Sequence, residues 1–214
     1  MPIASVADKS ILFIHVPKCA GMSMDQFLRA NAHVTAEARL RAYSKNIRLR
    51  HLHREPLEQL YHASCFHWVF MIVRHPVGRM VSEYRYQRRK GGLHPQNFIS
   101  FSLWLRYWLY RARRNASVRE NHFRPQSDFA SFGAEVFALE NGLGPVVDRF
   151  SQVTGVTSPV PIEMRNASPK QPVAVSKADR RLIGDFFHAD FAAFGYDIDG
   201  GVTADTRTAK SETP

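Results

Sequence analysis

The chain is poor in the features that announce the commonest special classes. It has two cysteines, Cys19 and Cys65, too few for a disulfide framework, and neither sits at metal-ligand spacing. No apolar run approaches the ~20 residues of a membrane span, and residues 98–110, aromatic-rich, are broken by Ser102 and Arg106. The start, MPIASVADKS, lacks the basic and apolar regions of a secretory signal. Acidic residues are scarce: 19 Asp and Glu face 29 Lys and Arg, for a net charge of +10, which points to an anionic partner. There is no Gly-x-x-x-x-Gly-Lys-Ser/Thr, so an ordinary Walker A nucleotide site is excluded. A soluble, intracellular protein is expected, with peripheral contact to a membrane surface left open.

What is present is organised around residues 11–23, ILFIHVPKCAGMS. The apolar run from Ile11 to Ile14 reads as a buried strand. Pro17 and Ala20-Gly21 mark a turn, and a helix opens near Met22. Strand, small-residue loop and helix start form a phosphate cradle, because N–H groups and the helix dipole there favour an anion. Lys18 adds a point charge, Gly21 lets the backbone approach closely and Ser23 offers a hydroxyl. A second stretch, residues 70–84, FMIVRHPVGRMVSEY, also follows an apolar run. In it Arg74 ends a strand, Pro76 starts a helix, and Ser82 lies one position past two turns.

Taken together and in this order, the two stretches closely resemble the cofactor motifs of sulfotransferases that use 3′-phosphoadenosine 5′-phosphosulfate (PAPS). The first resembles P-K-[TC]-A-G-T-S, which wraps the 5′-phosphosulfate. The second resembles R-x-P-x-x-R-x-x-S, which holds the 3′-phosphate. The resemblance implies that Pro17, Lys18, Cys19, Ala20, Gly21, Met22 and Ser23 cradle the donor, with Lys18 stabilising the leaving phosphate, and that Arg74 and Ser82 bind the 3′-phosphate. Arg79 belongs to the pattern in a structural role. Met22 departs from the family, where Thr is usual; the missing side-chain hydrogen bond is worth about 1–2 kcal/mol. No metal is chemically required. In carbohydrate sulfotransferases of the heparan 2-O type, a histidine between the two motifs is the proposed base. Here the candidates are His51 and His53, with His51 preferred because Arg50-His51 echoes a basic–His pair of bacterial relatives. Residues 121–126, NHFRPQ, resemble a patch H-x-x-P-Q, which makes His122 and Gln126 candidate substrate contacts. Later elements also fit: residues 136–140 as a strand ending in Glu140, Arg165-Asn166-Ala167-Ser168, and Asp190-Phe191 followed by Phe194-Gly195-Tyr196.

The rest of the chain reads as strands alternating with helices, hence an α/β, P-loop-like three-layer fold with a central parallel sheet flanked by helices. Strands are expected at 47–52, 68–73 and 134–139. Helices are expected at 22–32, 35–43, 57–62, 76–89, from a cap at Asn97 or Ser100 to 113, 142–153, and from a Ser176 cap to 191. Phe101, Trp104, Tyr107 and Trp108 at helical spacing read as core. Residues 1–200 form one domain and 201–214 a polar tail. The expected function is transfer of a sulfuryl group from PAPS to an acceptor hydroxyl, on a carbohydrate or glycoconjugate, releasing 3′,5′-ADP. A bacterial cytoplasmic enzyme acting on a glycan precursor, lipid or small metabolite fits the absence of an anchor. Two alternatives stand beside it: a nucleotide kinase with a variant loop, which calls for a magnesium-binding acid, and a basic nucleic-acid-binding protein, which calls for a dense basic stripe. The basic residues are instead scattered, so a nucleic-acid partner is not expected.

Overall fold

The computed structural model describes residues 2–34, 51–90, 99–162 and 172–200. A five-stranded sheet runs in the order β3-β1-β2-β4-β5. Its central strands are β2 (Lys9–Ile14) and β4 (Trp68–Val73). The apolar stretch Ile11 to Ile14 and all six residues of β4 are buried. Strands covered on both faces need continuous apolar runs rather than alternation. β2 pairs in parallel with β4, and β4 with β5 (Glu135–Ala138).

The sheet is mixed rather than wholly parallel. β1 (Ile3–Val6) turns back through Ala7, which has φ 50°, to pair antiparallel with β2, and β3 (His33–Val34) adds antiparallel to β1. Both antiparallel strands are short and interrupted by polar residues, so neither shows as an apolar run. The strand expected at 47–52 is not seen in its described part: His51 and Leu52 lie outside the sheet, and 47–50 fall outside the described residues, as do 35–43, 165–168 and 201–214.

Two apolar clusters hold the fold. One joins the sheet to α1 (Gly21–Asn31) and α6 (Gly144–Thr154), where Phe27 and Phe150 meet edge to face at 5.1 Å. The other joins α3 (Pro76–Lys90), α4 (Phe101–Arg114) and α7 (Lys177–Phe186) around Trp104, Trp108, Phe123 and Phe187. Phe101, Trp104 and Trp108 are core as expected, whereas Tyr107 is exposed. Shorter elements are α2 (Arg54–Leu60), α5 (Val118–Asn121), distorted by left-handed Arg119 and Glu120, and α8 (His188–Phe194). The last helix is broken at Phe187, where α7 ends and α8 begins. No helix among the described residues is long and apolar enough to cross a membrane.

Candidate active site

β2 and β4 run parallel, so the loops leaving Ile14 and Val73 emerge on the same edge of the sheet, where ligands of such sheets bind. In the first loop Lys18 and Ala20 are left-handed, with φ 70° and 57°. Holding non-glycine residues there costs on the order of 1–3 kcal/mol each. The strained loop delivers a bare helix start: Ala20 is the N-cap of α1, no side chain caps it, and the first turn carries no acid. The first N–H groups of a helix have no intrahelical acceptor, and its dipole is positive at that end. Gly21 is required by a close approach. A Cβ there would lie 1.7 Å from Nε2 of His15, whose buried ring is stacked on Phe13 and met edge-on by His51.

Cys19 is not a nucleophile. Burial pushes its thiol up to about 12, and its Sγ–H donates to Oε1 of Gln126 at 3.2 Å. Ser23 is buried beneath the first turn, while the Met22 side chain is exposed.

The second loop is clamped from below by Gln126. Its Oε1 accepts from the Arg74 N–H at 2.9 Å and its Nε2 donates to the Arg74 carbonyl at 2.8 Å, extending the strand-like pairing. Gln126 is fully buried with its amide spent on these bonds, on Cys19 and on Asp190. It therefore braces both loops and does not face an acceptor. The Arg74 side chain folds back over Gly78, where a Cβ would meet its Nε at 3.2 Å, and Ser82 follows one helical turn later on α3. Arg79 is wholly buried: Nε donates to the Pro17 carbonyl at 3.2 Å, and Nη2 to the carbonyls of His122 and Arg124 at 3.1 and 2.8 Å. Asp190 lies 3.9 Å from Nη1 and accepts from Ser127. Glu140 accepts from the His75 N–H and the Tyr196 hydroxyl. These contacts tie the late Asp190 and Tyr196 elements to the base of the second loop.

Lys18 is pressed into this setting. Its Nζ sits 3.9 Å above the centroid of Tyr86. Burial lowers its pKa, Glu83 opposes that shift, and Arg74 and Arg89 add to it. Arg74 and Arg89 thus act on Lys18, which sits in the loop leading to the uncapped helix start, and Glu83 offsets them in part. An excess of positive charge there fits an anionic ligand.

The histidines divide into two places. His51 is buried, its Nδ1 3.2 Å from the His15 carbonyl, and its ring lies edge-on to both His15 and His122 at 4.7 and 5.3 Å. Asn121 Nδ2 donates to the His51 carbonyl, which locks this segment to the distorted α5 turn. His122 bonds Glu83 at 2.8 Å and stacks on Tyr86. His53 is separate. It lines an open, polar cavity of about 720 Å³ with Glu55, Glu58, Arg124 and Asp128, and no lining residue comes from the two motif loops. Burial, then Arg124, lowers the His53 pKa.

The structure thus brings Lys18, Cys19, Gly21, Arg74, Gln126, His51 and His122 into one connected region, with His53 beside it. Sequence reasoning missed His15, Gly78, Glu83 and Tyr86. The α3 pair was detectable: Glu83 lies one helical turn past Arg79, and Tyr86 one turn past Ser82, on faces already marked by the motif. Among known proteins, the model of the Sulfotransferase family matches residues 3–143. No curated protein and no solved structure matches the chain.

Proposed function

From the premise that the chain belongs to the Sulfotransferase family, we propose that it moves a sulfuryl group from PAPS to an acceptor hydroxyl and releases 3′,5′-ADP. The observation that carries this reading is the strained loop of Lys18 and Ala20 that delivers an uncapped helix start, on the same sheet edge as the Arg74 loop. Bound there, PAPS supplies an activated sulfuryl group with a phosphate leaving group. The N–H groups of the loop and first turn orient that phosphate, Ser23 adds its hydroxyl, and Lys18 neutralises charge as it develops on the leaving oxygen. Arg74, held by Gln126 and folded over Gly78, grips the 3′-phosphate with Ser82. Burial beside Tyr86 keeps Lys18 partly desolvated, which strengthens its action on a buried anion.

The polar cavity beside the loops is the natural cleft for the outer part of the acceptor, away from the reacting hydroxyl. Its walls mix carboxylates and guanidinium groups, which suits the many hydroxyls of a sugar or glycoconjugate. A histidine takes the acceptor proton; His51 and His53 are the candidates between the motifs, and His122 joins them by position. A kinase would need a carboxylate free for magnesium beside the loop. Glu83, the acid that acts on Lys18, is spent on His122 and Gln87. Calorimetric titration with 3′,5′-ADP, with and without magnesium, tests the reading. Metal-independent binding lost in Arg74→Ala is expected; binding of ATP with magnesium, and none of 3′,5′-ADP, would overturn it.

A further inference from the structure

Three histidine rings, His15, His51 and His122, follow one another edge to face, and the row ends on a buried carboxylate. We propose that His122 is the general base of the reaction, and that Glu83 is the residue that positions it. This rests on the sulfuryl-transfer reading above.

Glu83 is fully buried on α3, with Oε2 2.8 Å from His122 Nδ1 and Oε1 accepting from Gln87 Nε2 at 2.8 Å. Burial pushes its carboxyl up, but the His122 and Gln87 bonds and the nearby charges, Lys18 among them, bring it net below the usual range. An ionised Glu83 only accepts, so in the neutral His122 ring Nδ1, 2.8 Å from Oε2, carries the hydrogen. That fixes the tautomer and leaves the lone pair on Nε2. No bond among the described residues occupies Nε2, and the side chain keeps 15% of its surface exposed. The base and the cation of the phosphate loop share one support: Tyr86 stacks on His122 and carries Lys18 on its ring, while Glu83 also acts on Lys18.

The other two candidates lack this setting. His51 has its Nδ1 against a neutral carbonyl and its ring closed in by His15 and His122. A carbonyl orients an imidazole but stabilises its protonated form less than a carboxylate does. His53 faces the outer cavity, and its one ionic neighbour on its own element, Glu55, stands 4.0 Å away and is exposed.

In the step itself, the acceptor oxygen forms a bond to sulfur as the sulfur–oxygen bond to the 5′-phosphate breaks. The electron pair stays on that phosphate oxygen beside Lys18, and the hydroxyl proton passes to His122 Nε2. His51 and His15 then act as packing behind the base, and the Gly21 contact to His15 links that packing to the phosphate loop.

The test has two arms. Long-range ¹H–¹⁵N spectra of the protein alone should show His122 protonated at Nδ1 and bare at Nε2, and Glu83→Gln, of equal shape, should mix the tautomers. A wild-type His122 protonated at Nε2 overturns the proposal. In the second arm, 3′,5′-ADP release from PAPS is followed with methyl β-glucoside and with water as probe acceptors. His122→Gln should slow release at least about 100-fold with 3′,5′-ADP affinity unchanged, and imidazole should restore part of the rate in His122→Ala. Full rate in His122→Gln, with loss in His51→Gln or His53→Gln, overturns the assignment alone. A wild type that binds no 3′,5′-ADP overturns the transfer reading, and the role of His122 with it.

Discussion

Helices α1 and α7 begin in opposite ways. At α7, Ser176 and Asp179 form a complete capping box: Ser176 Oγ accepts from the Asp179 N–H at 3.1 Å, and Asp179 Oδ2 accepts from the Ser176 N–H at 3.0 Å. Ser102 on α4 donates a further bond to the same carboxylate at 2.7 Å. At α1 the N-cap is a left-handed alanine, no side chain accepts, and Lys18 in the loop before it is acted on by Glu83, Arg74 and Arg89. Both helices face the same deficit of unpartnered N–H groups. One meets it with its own side chains and ties down the packing of α4. The other leaves it open, strains the backbone to do so, and adds positive charge. Other helices, α6 and α8 among them, also start without a side-chain cap; what sets α1 apart is the left-handed loop that leads into it and the lysine that loop carries, which is the setting the proposed anion site calls for.

The sharpest way to break this comparison is to remove the charge from the open end. Lys18→Met should lower the rate of 3′,5′-ADP release from PAPS by about 10²–10³-fold, the scale of losing one preorganised stabiliser of a developing oxyanion. Unchanged release would make Lys18 a bystander and α1 an ordinary helix. Next comes Gly21→Ala. Because the new Cβ would overlap the His15 ring, and that ring is held by Phe13 and His51, the loop must shift. Urea unfolding should show a loss of about 1–3 kcal/mol, together with loss of the 3′,5′-ADP titration heat. Gly144→Ala is the control, since nothing lies near the added atom.

At the closed end the effect is smaller and confined to stability. Asp179→Ala should cost about 0.5–2 kcal/mol in unfolding and leave 3′,5′-ADP affinity as it was. A pH series sharpens the point. Burial works against the Asp179 carboxylate, but the bonds from Ser102 and Ser176 outweigh it and hold the pKa below the usual 3.8. On acidification the unfolded chain takes up this proton first, so the contribution is present above pH 3.8 and drains away as pH falls through the lowered folded value. The variant should therefore show a shallower loss of stability in acid than the wild type; parallel curves would show that the cap is not what Asp179 supplies.

The same contrast explains what could be read from the sequence. β4 was legible to the residue, because six consecutive apolar residues before Arg74-His75-Pro76 admit little else. The Ser176 cap was legible for the same local reason. β1 and β3 were not, since short antiparallel strands gain their pairing from neighbours and show no long apolar run of their own. Nor was the break at Phe187, where helix-forming residues continue on both sides. In the site, the two motifs predicted which loops lie together. They did not reveal that Gln126 faces inward, because its bonds to Arg74 span 52 positions of the chain. Glu83 could be placed on α3 from the motif, but its pairing could not: its partner His122 is 39 positions away, and only the fold makes them neighbours.

The smallest expected change asks how much of the open helix start depends on side chains at all. Met22 lies in the first turn of α1, and its side chain is half exposed, so replacing it disturbs little packing. Met22→Thr adds a hydroxyl where the left-handed Lys18 and Ala20 already aim the backbone. A hydrogen bond to a phosphate oxygen there should tighten 3′,5′-ADP by at most about 1 kcal/mol, or roughly fivefold, with unfolding unchanged. Met22→Ala, which removes bulk without adding a donor, should leave affinity where it was. If threonine tightens binding and alanine does not, the wild-type cradle works without a side-chain donor at position 22. If both tighten equally, the methionine obstructs the ligand, and the opening at α1 is narrower than its bare N-terminus implies.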